Sequence, residues 1–123
     1  MTVNSYEDLK VWQKSIDLTA NIYQLVKTFP REELYGLTDQ LKRSAVSVAS
    51  NISEGCERNS TKEFLQFLSI AKGSLGELQT QLIIAVRVGF LSEQKFQEMK
   101  NLISEIGRMI NGLQSKLRSK LAT

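Results

Sequence analysis

Two rows of polar side chains hold the sequence's most distinctive chemistry. The first row recurs at steps of three and four residues, so it follows one helix face beside an apolar stripe; it contains Gln40, Arg43, Ser47, Asn51 and Glu54. The second row flanks the apolar stripe of the next helix and contains Glu63, Gln66, Glu77 and Gln81. Such rows can form an interhelical ladder of hydrogen bonds and ion pairs, or they can line a polar ligand groove. Both interpretations stay open on the sequence alone.

Folding the two rows together around Arg58 predicts which side chains meet. Asn51 and Gln66 lie at nearly equal distances from that turn, so we expect them to be neighbours. Arg43 then falls within one helical turn of Glu77. A half-buried arginine needs a carboxylate, because burying a lone charge is costly, and we therefore expect an Arg43–Glu77 ion pair.

Cationic side chains offer a second kind of chemistry, contact with phosphate groups. Sixteen Lys and Arg against 13 Asp and Glu give a formal net charge of +3. This excess is compatible with a nucleic-acid partner but does not require one, because nonspecific affinity depends on how many cations share a face. The candidate phosphate contacts are Arg43, Arg58, Lys62, Lys72, Arg87, Lys116, Arg118 and Lys120.

Several kinds of active site are excluded by residue type. The chain has no histidine, which removes the commonest general base and metal ligand. Its single cysteine, Cys56, cannot form a zinc site, and the negative end of a helix dipole disfavours its thiolate. No phosphate-binding loop or dinucleotide fingerprint occurs. We predict no catalytic, metal-binding or cofactor-binding residues and no enzymatic activity.

Four amphipathic helices must position these residues. Apolar periodicity predicts helices over about 6–28, 37–54, 61–88 and 93–119, in a single domain of residues 1–123. The connections are short, so each helix reverses direction, and we predict an all-α, antiparallel up-down-up-down four-helix bundle. The expected core stripe of the first helix contains Leu9, Trp12, Ile16, Thr19, Tyr23 and Val26, widened by Leu18, Ile22, Leu25 and Phe29. The expected stripes of the other three helices run from Leu37 to Ile52, from Phe64 to Ala85 and from Phe96 to Leu117.

Glycines and capping residues predict helix ends and close contacts. Ser60 and Ser92 are expected to cap the third and fourth helices, and Gly55 and Gly89 to stop the second and third. A glycine pair inside the third helix, at positions 73 and 76, costs about 1 kcal/mol per residue against alanine. Glycines inside a helix usually allow another helix to approach closely. We therefore expect a subunit interface beside the small residues of helices 2 and 3.

The expected compartment follows from what the sequence lacks. There is no run of about 18 apolar residues, which argues against a membrane span. The N-terminal residues do not resemble a secretory signal, and one unpaired cysteine suits a reducing compartment. We expect a cytoplasmic protein without a membrane partner.

Five stretches together resemble a bacterial four-helix-bundle family named for reading frames inside 23S rRNA intervening sequences. They are DLKVWQ (8–13), YGLTDQLKR (35–43), AVSVASNISEG (45–55), EFLQFL (63–68) and AKGSLGELQTQL (71–82). The resemblance implies a ring-shaped homopentamer with a central channel, and kinship with retroelement accessory proteins that bind nucleic acid and a reverse transcriptase. The family's polar positions correspond here to Gln40, Arg43, Ser47, Asn51, Glu54, Glu77 and Gln81.

The resemblance and the basic residues together predict a non-catalytic homo-oligomer that binds RNA or other nucleic acid. The alternative is a protein–protein interaction scaffold, such as an accessory subunit of a reverse transcriptase. An RNA or DNA partner and a protein partner are both expectations at this stage.

Overall fold

The computed structural model describes residues 5–122, and these residues form helices and no strand. The four long helices are α1 (Lys10–Leu25), α2 (Leu37–Cys56), α3 (Thr61–Arg87) and α4 (Glu93–Ala122). Short 3-10 turns occupy Tyr6–Asp8, Val26–Thr28 and Arg31–Glu33. α2 packs on α1 and α3, and α4 packs on α3 and α1, which closes the bundle. The predicted all-α four-helix bundle is confirmed.

The first helix is shorter than the apolar pattern indicates. Leu9 has extended backbone angles (φ −78°, ψ 121°) and separates the 3-10 turn Tyr6–Asp8 from α1. Ser5 caps that turn, because its Oγ accepts the N–H of Glu7 at 2.9 Å. The last residues of the predicted helix form another 3-10 turn, so the range 6–28 contains three helical pieces.

The ends of α3 and α4 follow the predicted capping chemistry. The Glu63 N–H donates to Ser60 Oγ at 3.1 Å, and the Lys95 N–H donates to Ser92 Oγ at 3.1 Å. Beyond α3, the Phe90 N–H donates to the carbonyl of Ala85 and the Gly89 N–H donates to that of Val86. These two bonds form a Schellman motif around Gly89, whose φ is +87°.

We expect Gly89→Ala to lower the free energy of unfolding by about 1 kcal/mol, because an L side chain is strained at a left-handed φ. Urea denaturation followed by circular dichroism measures this loss. Open space surrounds the position, so the effect comes from backbone strain and not from a clash. An unchanged midpoint would show that the motif relaxes to another turn.

The core faces of α2, α3 and α4 match the predicted stripes closely, and that of α1 matches in part. Ile16 and Tyr23, expected in the core, are each 42% exposed. The other predicted residues that are buried are Leu9, Leu18, Ile22, Val26 and Phe29, and Val11 and Ser15, which were not predicted, are buried beside them. Buried Ser15 donates its hydroxyl to the Val11 carbonyl at 2.7 Å and so needs no partner outside its own helix.

Gly55 lies inside α2 and is buried, so it does not stop the helix as expected. A Cβ added there would lie 2.6 Å from Phe67 Cβ and 3.0 Å from Phe64 Cδ1 of α3. Gly55 therefore permits the close approach of α2 and α3. The expectation of a close helix at Gly73 and Gly76 is not met within this chain, since nothing lies within 4 Å of a Cβ added at either glycine.

Candidate nucleic-acid interface

The excess positive charge belongs to the second half of the chain. Residues 1–60 contain eight acidic and seven basic residues, whereas residues 61–123 contain five acidic and nine basic residues. The α3–α4 hairpin therefore has a net charge of +4 and the first half −1. Two of its five acidic residues, Glu63 and Glu93, lie in the first turns of α3 and α4, where negative charge suits the helix dipole.

The other three carboxylates of this hairpin face the first half of the bundle. Glu77 Oε1 accepts a hydrogen bond from Ser44 of α2 at 2.9 Å. Glu105 forms an ion pair with Lys14 of α1 at 3.7 Å. Glu98 lines a depression together with residues of α1. The outer surface of the hairpin is therefore left to cations and uncharged side chains.

We call this outer surface the basic face and define it by one stripe on each helix. The α4 stripe contains Gln97, Lys100, Ser104, Arg108, Asn111, Ser115 and Arg118. The α3 stripe contains Lys62, Ser69, Lys72, Gly76, Thr80, Ile83 and Arg87. The α4 stripe alone extends about 32 Å along its helix. Neither stripe includes an acidic or an aromatic residue.

A shallow groove of about 260 Å³ runs between the two stripes. Lys72 and Thr80 of α3 and Asn111 of α4 line it. Gly76 and Gly107 also line it, and no heavy atom lies within 4 Å of a Cβ added at either glycine. The absence of side chains at these two positions lowers the floor of the groove and lets a ligand approach the helix backbones.

A buried amide positions one of the cations. Gln114 is 1% exposed, and its Nε2 donates to Ser69 Oγ at 3.1 Å. Its Oε1 accepts a hydrogen bond from Lys72 Nζ at 3.4 Å. Gln114 thus restrains Lys72 at the groove without neutralising its charge.

The structure divides the predicted phosphate contacts between this face and other surfaces. Lys62, Lys72, Arg87 and Arg118 lie on the basic face and form no ion pair within residues 5–122. Lys116 and Lys120 are each two residues from Arg118, which turns them to the opposite side of α4.

Arg43 and Arg58 belong to other surfaces and are paired there. Arg43 Nε lies 3.0 Å from Asp39 Oδ2, and its side chain is 80% exposed. Arg58 pairs with Glu54 at 3.1 Å and Glu63 at 3.8 Å. These carboxylates offset the charge of both arginines, so neither is as available to phosphate as the cations of the basic face.

Sequence reasoning missed Lys100 and Arg108, which carry the middle of the α4 stripe. They belong to a repeat of cations alternating with serine, asparagine and glutamine at steps of three and four residues. This repeat can be recognised in the sequence by its spacing. The net charge does not reveal it, because acidic residues on the other faces of α4 offset these cations in the sum.

The polar rows of α2 and α3 meet in a seam, although with different partners from those predicted. Ser44 Oγ lies 2.9 Å from both Glu77 Oε1 and Gln81 Oε1, and Gln81 Nε2 lies 3.5 Å from Gln40 Oε1. The expected Arg43–Glu77 pair is wrong. Arg43 is one residue, or about 100° of helix rotation, away from Ser44, and this turns it outward.

The remaining members of the two rows bond mostly within their own helix. Asn51 Nδ2 donates to the carbonyl and Oγ of Ser47, at 2.8 and 3.0 Å, so its expected contact with Gln66 is also wrong. Gln66 is exposed. Ser47 Oγ reaches α3 at Ser74 Oγ, 2.8 Å away. Within residues 5–122 no buried side-chain polar atom lacks a partner, so the seam's hydrogen bonds are satisfied internally.

Ser44→Ala should lower the free energy of unfolding by about 1–2 kcal/mol, because buried Gln81 loses its hydroxyl partner. Arg43→Ala is the matched control on the same helix and should change stability by less than about 0.5 kcal/mol. Guanidinium denaturation of both variants measures the difference. If Arg43→Ala lowered the free energy of unfolding more than Ser44→Ala does, an ion pair of Arg43 would have to stabilise the contact between α2 and α3.

Two separate apolar patches remain on the bundle surface. Ile16 and Tyr23 of α1 and Val46 of α2 form the first, and Lys42 Nζ lies 4.9 Å from the centre of the Tyr23 ring. The second is on α3, where Ile84 and Val88, one turn apart, are at least 46% exposed. Ile70, also on α3, is 51% exposed but lies about 21 Å away along the helix. Neighbouring exposed apolar groups are candidates for protein contacts.

Cys56 and the charged residues offer little further chemistry. Burial, together with the nearby charge of Glu57, raises the pKa of the Cys56 thiol, so it stays protonated near neutral pH. Residues 5–122 contain no cluster of side chains suited to hold a metal ion. No helix in the same range has the length and apolar character needed to cross a bilayer.

Comparison with known proteins gives a family match and a similar fold. The family model for the 23S rRNA-intervening sequence protein matches residues 7–112. A crystal structure at 1.70 Å, of a protein with unknown function from the S23 ribosomal protein family of Bacteroides thetaiotaomicron, has a TM-score of 0.79 and 24% identity. The match covers 85% of this chain and 95% of that one. No curated protein matches the chain.

Proposed function

The chain belongs to the 23S rRNA-intervening sequence protein family, and we propose that it is a non-catalytic oligomer that binds RNA or another nucleic acid through its basic face. The observation that carries this proposal is the separation of charge on the α3–α4 hairpin. Cations extend along its outer surface, while all five carboxylates lie in first helical turns or face the other half of the bundle. Phosphate contacts of this kind supply most of the nonspecific affinity for nucleic acid.

Self-association is the second part of the proposal, with a homopentamer as the expected assembly. A ring needs two different surfaces that contact each other around the symmetry axis, whereas a twofold dimer can use one surface twice. The two apolar patches, on α1–α2 and on α3, supply such a pair. A ring would also repeat the basic face in every subunit, and this raises the avidity for a long polyanion. A cytoplasmic location fits both parts.

The test combines a native mass measurement with binding of a fluorescent RNA at several salt concentrations. We expect a pentamer mass and an affinity that falls steeply with salt, because bound cations release counterions from the phosphates. No binding at low salt, or binding that salt does not change, would exclude the nucleic-acid function. A monomer at micromolar concentration would exclude the oligomer.

The exposed apolar patches also favour an alternative function, a scaffold that holds a protein partner such as a reverse transcriptase. In that case a tagged chain should retain the partner in a pull-down after nuclease treatment. Tyr23→Glu and Ile84→Glu should each release it, because they place a charge in a patch that binding would bury. Loss of every partner on nuclease treatment favours the nucleic-acid function.

A further inference from the structure

We propose that the basic face recognises double-stranded nucleic acid by its sugar–phosphate backbone and does not read unstacked bases. This inference rests on the proposed function and specifies the ligand of the same face. Three features of the face carry it: the absence of stacking side chains, the kind of polar groups between the cations, and the spread of the cations along one side of α4.

The aromatic residues of the hairpin all lie away from this face. Phe64 and Phe67 of α3 pack near Gly55 of α2, Phe96 of α4 is buried, and Phe90 contacts Phe29. Proteins that bind single strands without sequence preference stack bases on aromatic rings, and each base contributes about 1–3 kcal/mol. The basic face has cations but no such rings, so a single strand would gain only its phosphate contacts.

The neutral groups on the face suit a sugar–phosphate backbone. Asn111, Ser115 and Thr80 are exposed, and they alternate with the cations. Short hydroxyl and amide side chains of this kind contact phosphate oxygens and ribose hydroxyls, and these contacts fix a duplex in place without reading its sequence. Duplex RNA is bound mainly in this way, because its deep major groove excludes side chains.

The cations on α4 lie on one side of the helix and are spread along its length. Lys100, Arg108 and Arg118 are separated by eight and ten residues, or about 12 and 15 Å along the helix. The low groove floor at Gly76 and Gly107 keeps the surface between the helices open. Phosphates on a duplex are held at fixed spacings, so cations carried by one continuous helix can contact several of them without ordering a flexible nucleic-acid chain.

The test measures fluorescence anisotropy with four probes, which are compared at equal salt and titrated again at several salt concentrations. They are an RNA duplex of about 20 base pairs, one of its strands chosen to lack self-pairing, a scrambled duplex of equal composition, and a DNA duplex of the same sequence. We expect the RNA duplex to bind at least tenfold more tightly than its strand, and the scrambled duplex within about threefold of it. The ratio of the affinities for the RNA and DNA duplexes then measures how much the ribose hydroxyls add to the phosphate contacts that both duplexes make.

A paired variant separates hydrogen bonding from charge alone. Asn111→Ala with Ser115→Ala should lower the preference for duplex over strand severalfold and leave the salt dependence unchanged, since no cation is removed. A single strand that binds as tightly as the duplex, a scrambled duplex that binds more than tenfold less tightly, or an unaltered preference in the paired variant would overturn the inference. Failure of every probe to bind at low salt would instead refute the proposed function itself.

Discussion

Reversing four charges on the basic face should lower RNA affinity at least about 100-fold near 150 mM salt. The variant combines Lys72→Glu, Lys100→Glu, Arg108→Glu and Arg118→Glu. Each lost phosphate contact reduces the slope of log affinity against log salt by about 0.7–0.9, so four contacts reduce it by about 3. The four new carboxylates also repel the phosphates. Anisotropy titrations at several salt concentrations measure both the affinity and the slope.

The control for this variant has the same net charge but leaves the basic face intact. It replaces four exposed cations elsewhere on the bundle with glutamate: Lys27, Arg31, Arg43 and Lys95. We expect it to keep affinity within about tenfold of the parent and to keep most of the salt slope, because its changes act only through long-range charge. Equal losses in the two variants would mean that net charge alone drives binding and that the basic face is not the site. Circular dichroism checks that both variants fold.

Three of the four helices could be placed from the sequence because their apolar stripes have no competitor. The α4 stripe from Phe96 to Leu117 is flanked by charged and polar residues, so only one face can be buried. α1 has two rows with the same spacing, and the aromatic row is the more apolar. The structure leaves Ile16 and Tyr23 of the aromatic row partly exposed and buries Ser15 beside Leu18 and Ile22. Ser15 satisfies its hydroxyl within the helix and so packs like a small apolar residue.

The candidate site was less predictable, because it depends on where neighbouring side chains turn. The cations are visible in the sequence, but their availability depends on partners such as Asp39 beside Arg43. The contacts of the polar seam depend on a difference of one residue. Ser44 is small enough to lie between the helices, and it makes the contact with Glu77 that was expected of the longer Arg43. Residue spacing gives the order of side chains around a helix but not how the helix is rotated toward its neighbour, and that rotation decides whether Ser44 or Arg43 faces α3.

The second large effect is expected where α2 and α3 approach each other at Gly55. Gly55→Ala should lower the free energy of unfolding by about 2 kcal/mol, and the melting temperature by several degrees. The added Cβ would lie 2.6 Å from Phe67 Cβ, an atom fixed to the backbone that cannot rotate away. α2 and α3 must therefore separate, which weakens the packing of their buried stripes. Overpacking of this kind outweighs the gain of about 1 kcal/mol that alanine gives inside a helix.

Gly112→Ala is the matched control, because it makes the same substitution in a helix interior with open space around it. It should raise the free energy of unfolding by up to about 1 kcal/mol, so the two variants should shift the denaturation midpoint in opposite directions. If Gly55→Ala also stabilises the protein, α2 and α3 can move apart at little cost. In that case the contact at Gly55 does not determine the distance between α2 and α3. The hydrogen bonds of the seam from Ser44 to Gln81 would determine it.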